Sequence, residues 1–422
     1  MGSAVSRVEA PASASTRPPY LAITATFAGI CAALTVVVAW VSSSVARDVP
    51  ALTGPAWLDG WFQMDSGWYF LIADSGYSYL PGQMSPIAFF PEYPLAVRAV
   101  GAVIGDYQVA GSLIGVLCGL ATVLLFASWV WHRLPRAAAL TAVAVLMLYP
   151  YALYLYGSMY ADSLFILTAV GAFVLLEHRL YWLAGLAGAL ATAGRPVGVA
   201  VAIGLVVRML EMRAEAKAEQ PTTGATDERP TSTEEEPVDR SRPRLKDLFA
   251  AIPGVRWREA GVLLSGIGLI AWCVYLWRTY GDPVAFLTVQ EAPGWYQGSG
   301  PVTWLKVGFA RAMVLGPLDV ALRLLPQALM CLLAVLLLHR VWRRFGWGYA
   351  AYSLVVLAIP IIGTKDFMGT GRYVLAAFPV LAAAGDYLAG RNQKWIRPLV
   401  LALTGIGLVA ATVVYASGVE VS

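Results

Sequence analysis

About eleven apolar runs, separated by short polar stretches, dominate this chain of 422 residues. They leave it almost no choice of secondary structure. Hydrocarbon holds no water to pair backbone N–H and C=O groups, so each run must close its own hydrogen bonds as a helix. A run of about 20 residues matches the ~30 Å core of a bilayer. The composition agrees: 58% of the residues are hydrophobic and 13% charged, against about 25% charged in a soluble domain. The expected fold class is an all-α polytopic membrane protein with about eleven transmembrane helices.

Hydropathy places the spans near 20–44, 107–131, 137–156, 161–177, 181–194, 196–210, 260–279, 317–338, 347–363, 373–389 and 398–416. The fifth and sixth flank Gly194-Arg195-Pro196 and read either as two short spans or as one broken helix. The first run lacks a clear small-residue cleavage site after it, so it reads as a retained anchor. Residues 211–258 mix Pro, Thr and both signs of charge with few apolar side chains. Such a segment cannot bury a core and is expected to be largely disordered. The expected order is therefore a cytoplasmic tail (1–19), a membrane region (20–210) carrying an extracytoplasmic loop (46–106), the linker (211–258) and a second membrane region (259–422).

Charge asymmetry sets the orientation. With the N-terminus inside, Arg133, Arg136, Arg179, Arg340, Arg343, Arg344, Arg391, Lys394 and Arg397 fall in cytoplasmic loops. Asp59, Asp65, Asp74, Glu92, Asp162, Asp282, Glu291 and Asp366 fall on the other side. This is the positive-inside pattern. Five of the 30 basic residues are Lys and Asn392 is the only Asn, a GC-rich codon bias that points to a bacterial plasma membrane. The net charge of +4 is not gathered on a soluble domain, which excludes a nucleic-acid binder. The four cysteines lie inside apolar runs with no metal or disulfide spacing, so they read as packing residues.

The segment from Trp57 to Pro94 is the richest in chemistry. It is dense in aromatics and Pro, and holds Asp59, Asp65, Asp74 and Glu92. MDSGWYFLIADSGY resembles an amphipathic helix lying on the membrane surface, with Asp65 or Ser66 at its N-cap and Trp68, Leu71, Ile72 and Ser75 on one face. Asp65 is the strongest candidate for chemistry; its competing role is simply to cap that helix. Asp74 sits about two and a half turns further on and faces another side. No Asp-x-Asp motif argues for a metal. Glu92, between two prolines, reads equally as a solvated charge.

A second, basic constellation lies on the same side. Arg195 and Arg372 suit bidentate phosphate recognition, and a guanidinium near lipid is costly unless it is paired or used. Their competing role is pairing with Asp162, Asp366 or a helix C-terminus. Lys365 reads more simply as a solvated charge. In a third loop, Gln290, Glu291 and Trp295 offer planar polar groups beside an aromatic platform, as a sugar would need.

Taken in order, five segments resemble the PIG-V-type mannosyltransferases, polyprenyl-phosphate-sugar-dependent glycosyltransferases of the GT-C superfamily. They are MDSGWYFLIADSGY, AFFPEYPLAVRAVG, the stretch from YPYALYLYGSMYADSLF to ATAGRP, GDPVAFLTVQEAPGW and GRYVLAAFPVLAA. Met64, Asp162 and Tyr149 depart from the family's usual Trp, Glu and Asn, whereas Asp65 and Arg195-Pro196 are retained. The resemblance implies inverting transfer of mannose from polyprenyl-phosphate mannose on the extracytoplasmic face, to a lipid-linked or protein acceptor.

On that reading Asp65 is the catalytic base. The substrate-binding set is Trp68, Tyr69, Glu92, Asp162, Arg195, Gln290, Lys365 and Arg372, with no metal and no cofactor. The expected partners are the lipid-phosphate donor, a lipid or glycolipid acceptor and the surrounding lipids. The competing class is a transporter or lipid flippase. It would call for ionisable residues deep inside spans and for repeated halves, and no repeat is visible.

Overall fold

A computed structural model describes residues 17–44, 52–218, 243–297 and 300–421. Every regular element among them is a helix, with no strand. The N-terminal half contains α1 (Tyr20–Ser43), α2 (Ser66–Ser75), α3 (Glu92–Ile104), α4 (Tyr107–Trp131), α5 (Arg136–Leu148), α6 (Asp162–Glu177), α7 (Tyr181–Gly194) and α8 (Val199–Ala218). After α9 (Leu245–Ala251), a 3-10 segment Glu259–Gly266 runs into α10 (Ile267–Tyr280). Short helices α11 (Ala285–Thr288), α12 (Pro301–Trp304) and α13 (Val307–Leu315) lead to α14 (Leu318–Phe345) and α15 (Trp347–Gly363). The chain ends with α16 (Thr370–Ala376), α17 (Phe378–Ala389) and α18 (Ile396–Ala416).

Five helical stretches among the described residues are long and apolar enough to cross a membrane: α1, α4, Glu259–Tyr280, α14 and α18. The expected count of about eleven is not reached on length. The apolar run at 137–156 stops as α5 at Leu148, ahead of Pro150, and continues as a 3-10 turn Ala152–Leu155. Thirteen helical residues span only about 20 Å. The run at 373–389 divides into α16 and α17, with Pro379 opening the second. α8 is long enough, but from its middle onward it carries Arg208, Glu211, Arg213, Glu215 and Lys217.

The ambiguity at 181–210 is resolved as a helical hairpin. A Cβ placed on Gly188 would lie 3.0 Å from the Leu205 side chain. Seventeen residues of continuous helix would separate the two by about 25 Å. The chain therefore reverses at Arg195, which adopts extended backbone (φ −156°, ψ 155°) before Pro196 opens a short turn. The linker expectation also needs correction at its ends. Residues up to Ala218 continue α8, and α9 lies within the stretch set aside as disordered. Residues 219–242 lie outside the described set, as does most of the N-terminal tail. The buried Glu211 accepts hydrogen bonds from the Trp347 and Gly348 N–H groups (2.8 and 3.3 Å), so α8 caps the start of α15.

Glycine lets α4 hold the site-bearing loop closely. Gly111, Gly115 and Gly119 stand four residues apart on one face. A Cβ at Gly119 would collide with the Leu155 carbonyl oxygen, and one at Gly111 would meet Met159 Cγ at 2.5 Å. The stretch Leu155–Tyr160 thus lies directly on the α4 backbone, the close approach that small residues permit in membranes. The four cysteines are free.

Candidate active site

Asp65 stands at the N-cap position of α2, yet its side chain makes no capping hydrogen bond and its backbone is already helical (φ −60°, ψ −18°). The capping role is therefore excluded. The carboxylate turns instead to α16, where Arg372 Nη1 donates to Asp65 Oδ2 at 3.0 Å. The other Asp65 oxygen accepts no hydrogen bond among the described residues, and the side chain is 27% exposed. The Asp65 N–H donates to the Tyr160 hydroxyl at 3.2 Å. Met64, just before it, adopts φ +42°, a conformation that costs a side-chain-bearing residue about 1–2 kcal/mol. That kink aims Asp65 across the fold.

The α2 face also differs from expectation. Ser66, Tyr69, Ile72 and Ala73 are buried, while Leu71 and Ser75 are exposed. Tyr69 packs edge-on against Phe89, Tyr93 and Tyr160. Asp74 is exposed and remote from Asp65; its carboxylate accepts from Ser75.

Arg372 bridges two carboxylates. The same Nη1 that holds Asp65 lies 3.8 Å from Asp162 Oδ2. The other Asp162 oxygen is ion-paired to Arg195. Asp162 is 1% exposed, Arg195 8% and Arg372 11%. The four charges balance, which is what burial demands of them. Asp162 comes from the first turn of α6, Arg195 from the hairpin bend and Arg372 from α16. The start of α16 is clamped on both sides. The Tyr149 hydroxyl donates to the Gly371 carbonyl at 3.0 Å, and the Gly371 N–H donates to Gln327 Oε1 at 3.3 Å.

Tyrosines wall the guanidinium groups. Arg372 lies over the rings of Tyr154 (5.4 Å) and Tyr160 (5.1 Å), and Arg195 over Tyr373 (4.8 Å). Such stacking favours a desolvated guanidinium. Among the described residues, two polar atoms of the cluster remain buried without a hydrogen bond: Arg372 Nε and Asp162 Oδ2. The cluster is therefore not complete by itself, because an unmet buried polar group costs about 1–3 kcal/mol.

The remaining expected residues separate into two groups. Trp68 stacks on Phe89 (5.9 Å, 19°) and meets Trp295 at 5.8 Å. Lys365, expected as a solvated charge, donates to the Trp295 carbonyl at 3.1 Å. Gln290 is half-buried on the same loop, and its backbone carbonyl accepts from the Gln297 N–H at 3.1 Å. Trp68, Phe89 and Trp295 form an aromatic shelf adjoining Asp65 through α2, with Lys365 bonded to the backbone at its edge.

Glu92 is not a solvated charge. Both carboxylate oxygens are buried and unpartnered, against Gly194 and Phe165. Burial pushes its carboxyl up to about 8. The Thr168 hydroxyl donates to the Leu164 and Phe165 carbonyls at 3.0 Å each and leaves Glu92 without a bond.

Sequence reasoning missed the individual roles of Tyr154, Tyr160 and Tyr373. All three lie in the segments quoted for the family resemblance, but a tyrosine in an apolar run carries no polar signature of its own. It also missed Glu420 beyond α18. Burial first, and the Asp65 charge second, raise that carboxyl although the residue as a whole is exposed.

Fold and site together define a helical, multi-span membrane protein with a largely buried Asp–Arg centre at one end of the bundle. No family model matches the chain, and no curated protein matches it either. Among solved structures, the apo oligosaccharyltransferase of Archaeoglobus fulgidus is similar with a TM-score of 0.46 and 13% identity, over 95% of this chain and 56% of that one. The oligosaccharyltransferase AglB from Archaeoglobus fulgidus, in complex with an inhibitory peptide and a dolichol-phosphate, gives 0.44 and 14%, over 95% and 56%. This chain spans little more than half the length of those proteins. At such values, family and function rest on the chain's own residues.

Proposed function

We propose that the protein is a GT-C-type membrane glycosyltransferase that moves mannose from a polyprenyl-phosphate donor to a lipid-linked or protein acceptor on the extracytoplasmic face. The observation that carries this reading is the pairing of a partly exposed carboxylate, Asp65, with the buried Arg372 at 3.0 Å. The resemblance of the five ordered segments supports it as well. A base needs an open oxygen within reach of an acceptor hydroxyl, and Asp65 keeps one. A departing lipid phosphate gains negative charge, which preorganised guanidinium groups stabilise. Arg372 and Arg195 are the two candidates for that task. The acceptor hydroxyl would lose its proton to Asp65 while its oxygen attacks the sugar's anomeric carbon. The carbon–oxygen bond to phosphate breaks in the same step, with inversion. The phosphate leaves with its lipid, and needs no metal once its charge is met by arginine.

On this reading α5, α6, α7, α8, α15 and α17 lie in the bilayer with the five long ones, eleven in all. The arginines at the far end of the bundle (Arg133, Arg208, Arg340 and Arg344) face the cytoplasm. The aromatic shelf of Trp68, Phe89 and Trp295 receives a sugar face, with Gln290 and Lys365 at its edge.

The test is transfer of labelled mannose from polyprenyl-phosphate mannose in membranes holding wild type or Asp65→Asn at equal abundance. Label in a new product with wild type alone supports both the class and the base. Transfer by both moves the base elsewhere. Lipid-sugar movement across vesicles without a glycosidic product would make the protein a flippase.

A further inference from the structure

A second charged site lies at the opposite end of the bundle. α7 runs from Tyr181 to Gly194, next to Arg195, so its two ends are about 20 Å apart. At the Tyr181 end, a cleft of about 520 Å³ opens between the start of α7, the end of α8, and α9 with the turn that follows it. Its lining includes Arg179, Arg213, Lys217 and Arg256, with Glu259 as the lone carboxylate.

Among the described residues, only one of these cations has an ion pair. Arg213 pairs with Glu259 and packs against Gly254, and its Nε is buried with no hydrogen-bond partner among the described residues. Arg179, Lys217 and Arg256 make no side-chain ion pair among the described residues and are exposed. Arg179 adopts φ +59° in the turn between α6 and α7, where glycine would be unstrained. Three cations around one cleft, without an ion pair among the described residues, repel one another and attract an anion.

The surroundings say which anion. Trp182 and Trp257 meet edge-on at 5.6 Å beside the cleft, and Trp257 is 79% exposed. Exposed tryptophans belong at the bilayer–water boundary. Below them, Leu183, Leu186, Leu263 and Ile267 are exposed along α7 and the helix packed against it. The cleft therefore opens at headgroup depth above an apolar, lipid-facing wall. The geometry points to a binding site for the phosphate of an anionic lipid headgroup, held by Arg179, Lys217 and Arg256, with its acyl chains lying over Leu183 and Leu263. A free phosphate would use the cations but not the wall. This site is separate from the proposed transfer chemistry.

The experiment uses the full-length protein purified in neutral detergent. Phosphatidylglycerol, phosphatidylcholine and inorganic phosphate are titrated separately, with bound lipid counted by native mass spectrometry and melting temperature read in parallel. Wild type should take phosphatidylglycerol at least tenfold more tightly than phosphatidylcholine. The triple variant Arg179→Gln/Lys217→Gln/Arg256→Gln should lose that preference while melting as wild type does without lipid. Should the triple variant not purify, the exposed Arg256→Gln alone should weaken phosphatidylglycerol severalfold. Equal affinity for the two lipids, or an unchanged preference in the variants, overturns the site. Inorganic phosphate that stabilises as well as phosphatidylglycerol does overturns the lipid as its source.

Discussion

Arg372 Nη1 and Asp65 Oδ2 lie 3.0 Å apart although 307 positions separate the two residues in the chain. One sits at the head of α2, the other in α16, and the pair joins the two halves of the molecule at the proposed reaction centre. If they act as one unit, their effects cannot add. Arg372→Lys keeps the charge but loses the planar fork, and should lower transfer by about 10²–10³-fold. Arg372→Lys combined with Asp65→Asn should be no slower than Asp65→Asn alone. Initial rates of labelled mannose transfer, normalised to protein, read this directly. Independent, multiplicative losses would mean that the two residues do not work together.

Asp162 should matter to folding as well as to activity. It is almost fully buried and pairs with Arg195 while facing Arg372. Removing one partner of a buried pair leaves an uncompensated charge, at a cost of about 3–5 kcal/mol. Asp162→Asn is expected to lower the melting temperature in detergent markedly, whereas Asp65→Asn, at a partly exposed site, should lower it far less. Equal melting temperatures for Asp162→Asn and wild type would show that the pair does not hold the bundle.

Glu92 makes stability depend on pH. Its carboxyl is raised to about 8 from an ordinary 4.5 by burial. Between those values the folded protein keeps a proton that the unfolded chain has released, so stability falls as pH rises through that window. Below about 4.5 both states are protonated and nothing is lost. Glu92→Gln mimics the protonated form. Its melting temperature should match wild type near pH 5 and exceed it above about pH 8. A gap of the same size at both pH values would show that Glu92 does not titrate as its burial dictates.

The glycine face of α4 sets the position of Tyr154 and Tyr160, and through them the environment of Arg372. A Cβ at Gly119 would collide with backbone, the Leu155 carbonyl oxygen. Overpacking of this kind costs about 1–3 kcal/mol. Gly119→Val should therefore destabilise the protein and depress transfer together, measured by thermal denaturation and by the same rate assay. Gly29, with open space around its Cβ position, is the control: Gly29→Ala should leave both unchanged.

The apolar runs alone determined that the chain is helical and built for a membrane, because lipid admits no other way to satisfy the backbone. They also located most helices, since a run long enough to span needs no partner to be recognised. The charged residues worth watching were equally legible, because Asp65, Asp162, Arg195 and Arg372 are costly in apolar surroundings unless used. Run length did not reveal where Pro150 and Pro379 cut the apolar stretches into shorter helices.

Side-chain partners were settled only by tertiary packing. Asp65 abandons its local cap for an arginine 307 positions away, and Glu92, between prolines at the start of α3, ends with its carboxylate sealed against Gly194. Local periodicity describes what a helix would bury, not which distant element reaches it. The tyrosines around Arg372 and the cleft beside Trp257 likewise exist only once the helices pack, because each is assembled from segments that share no sequence neighbourhood.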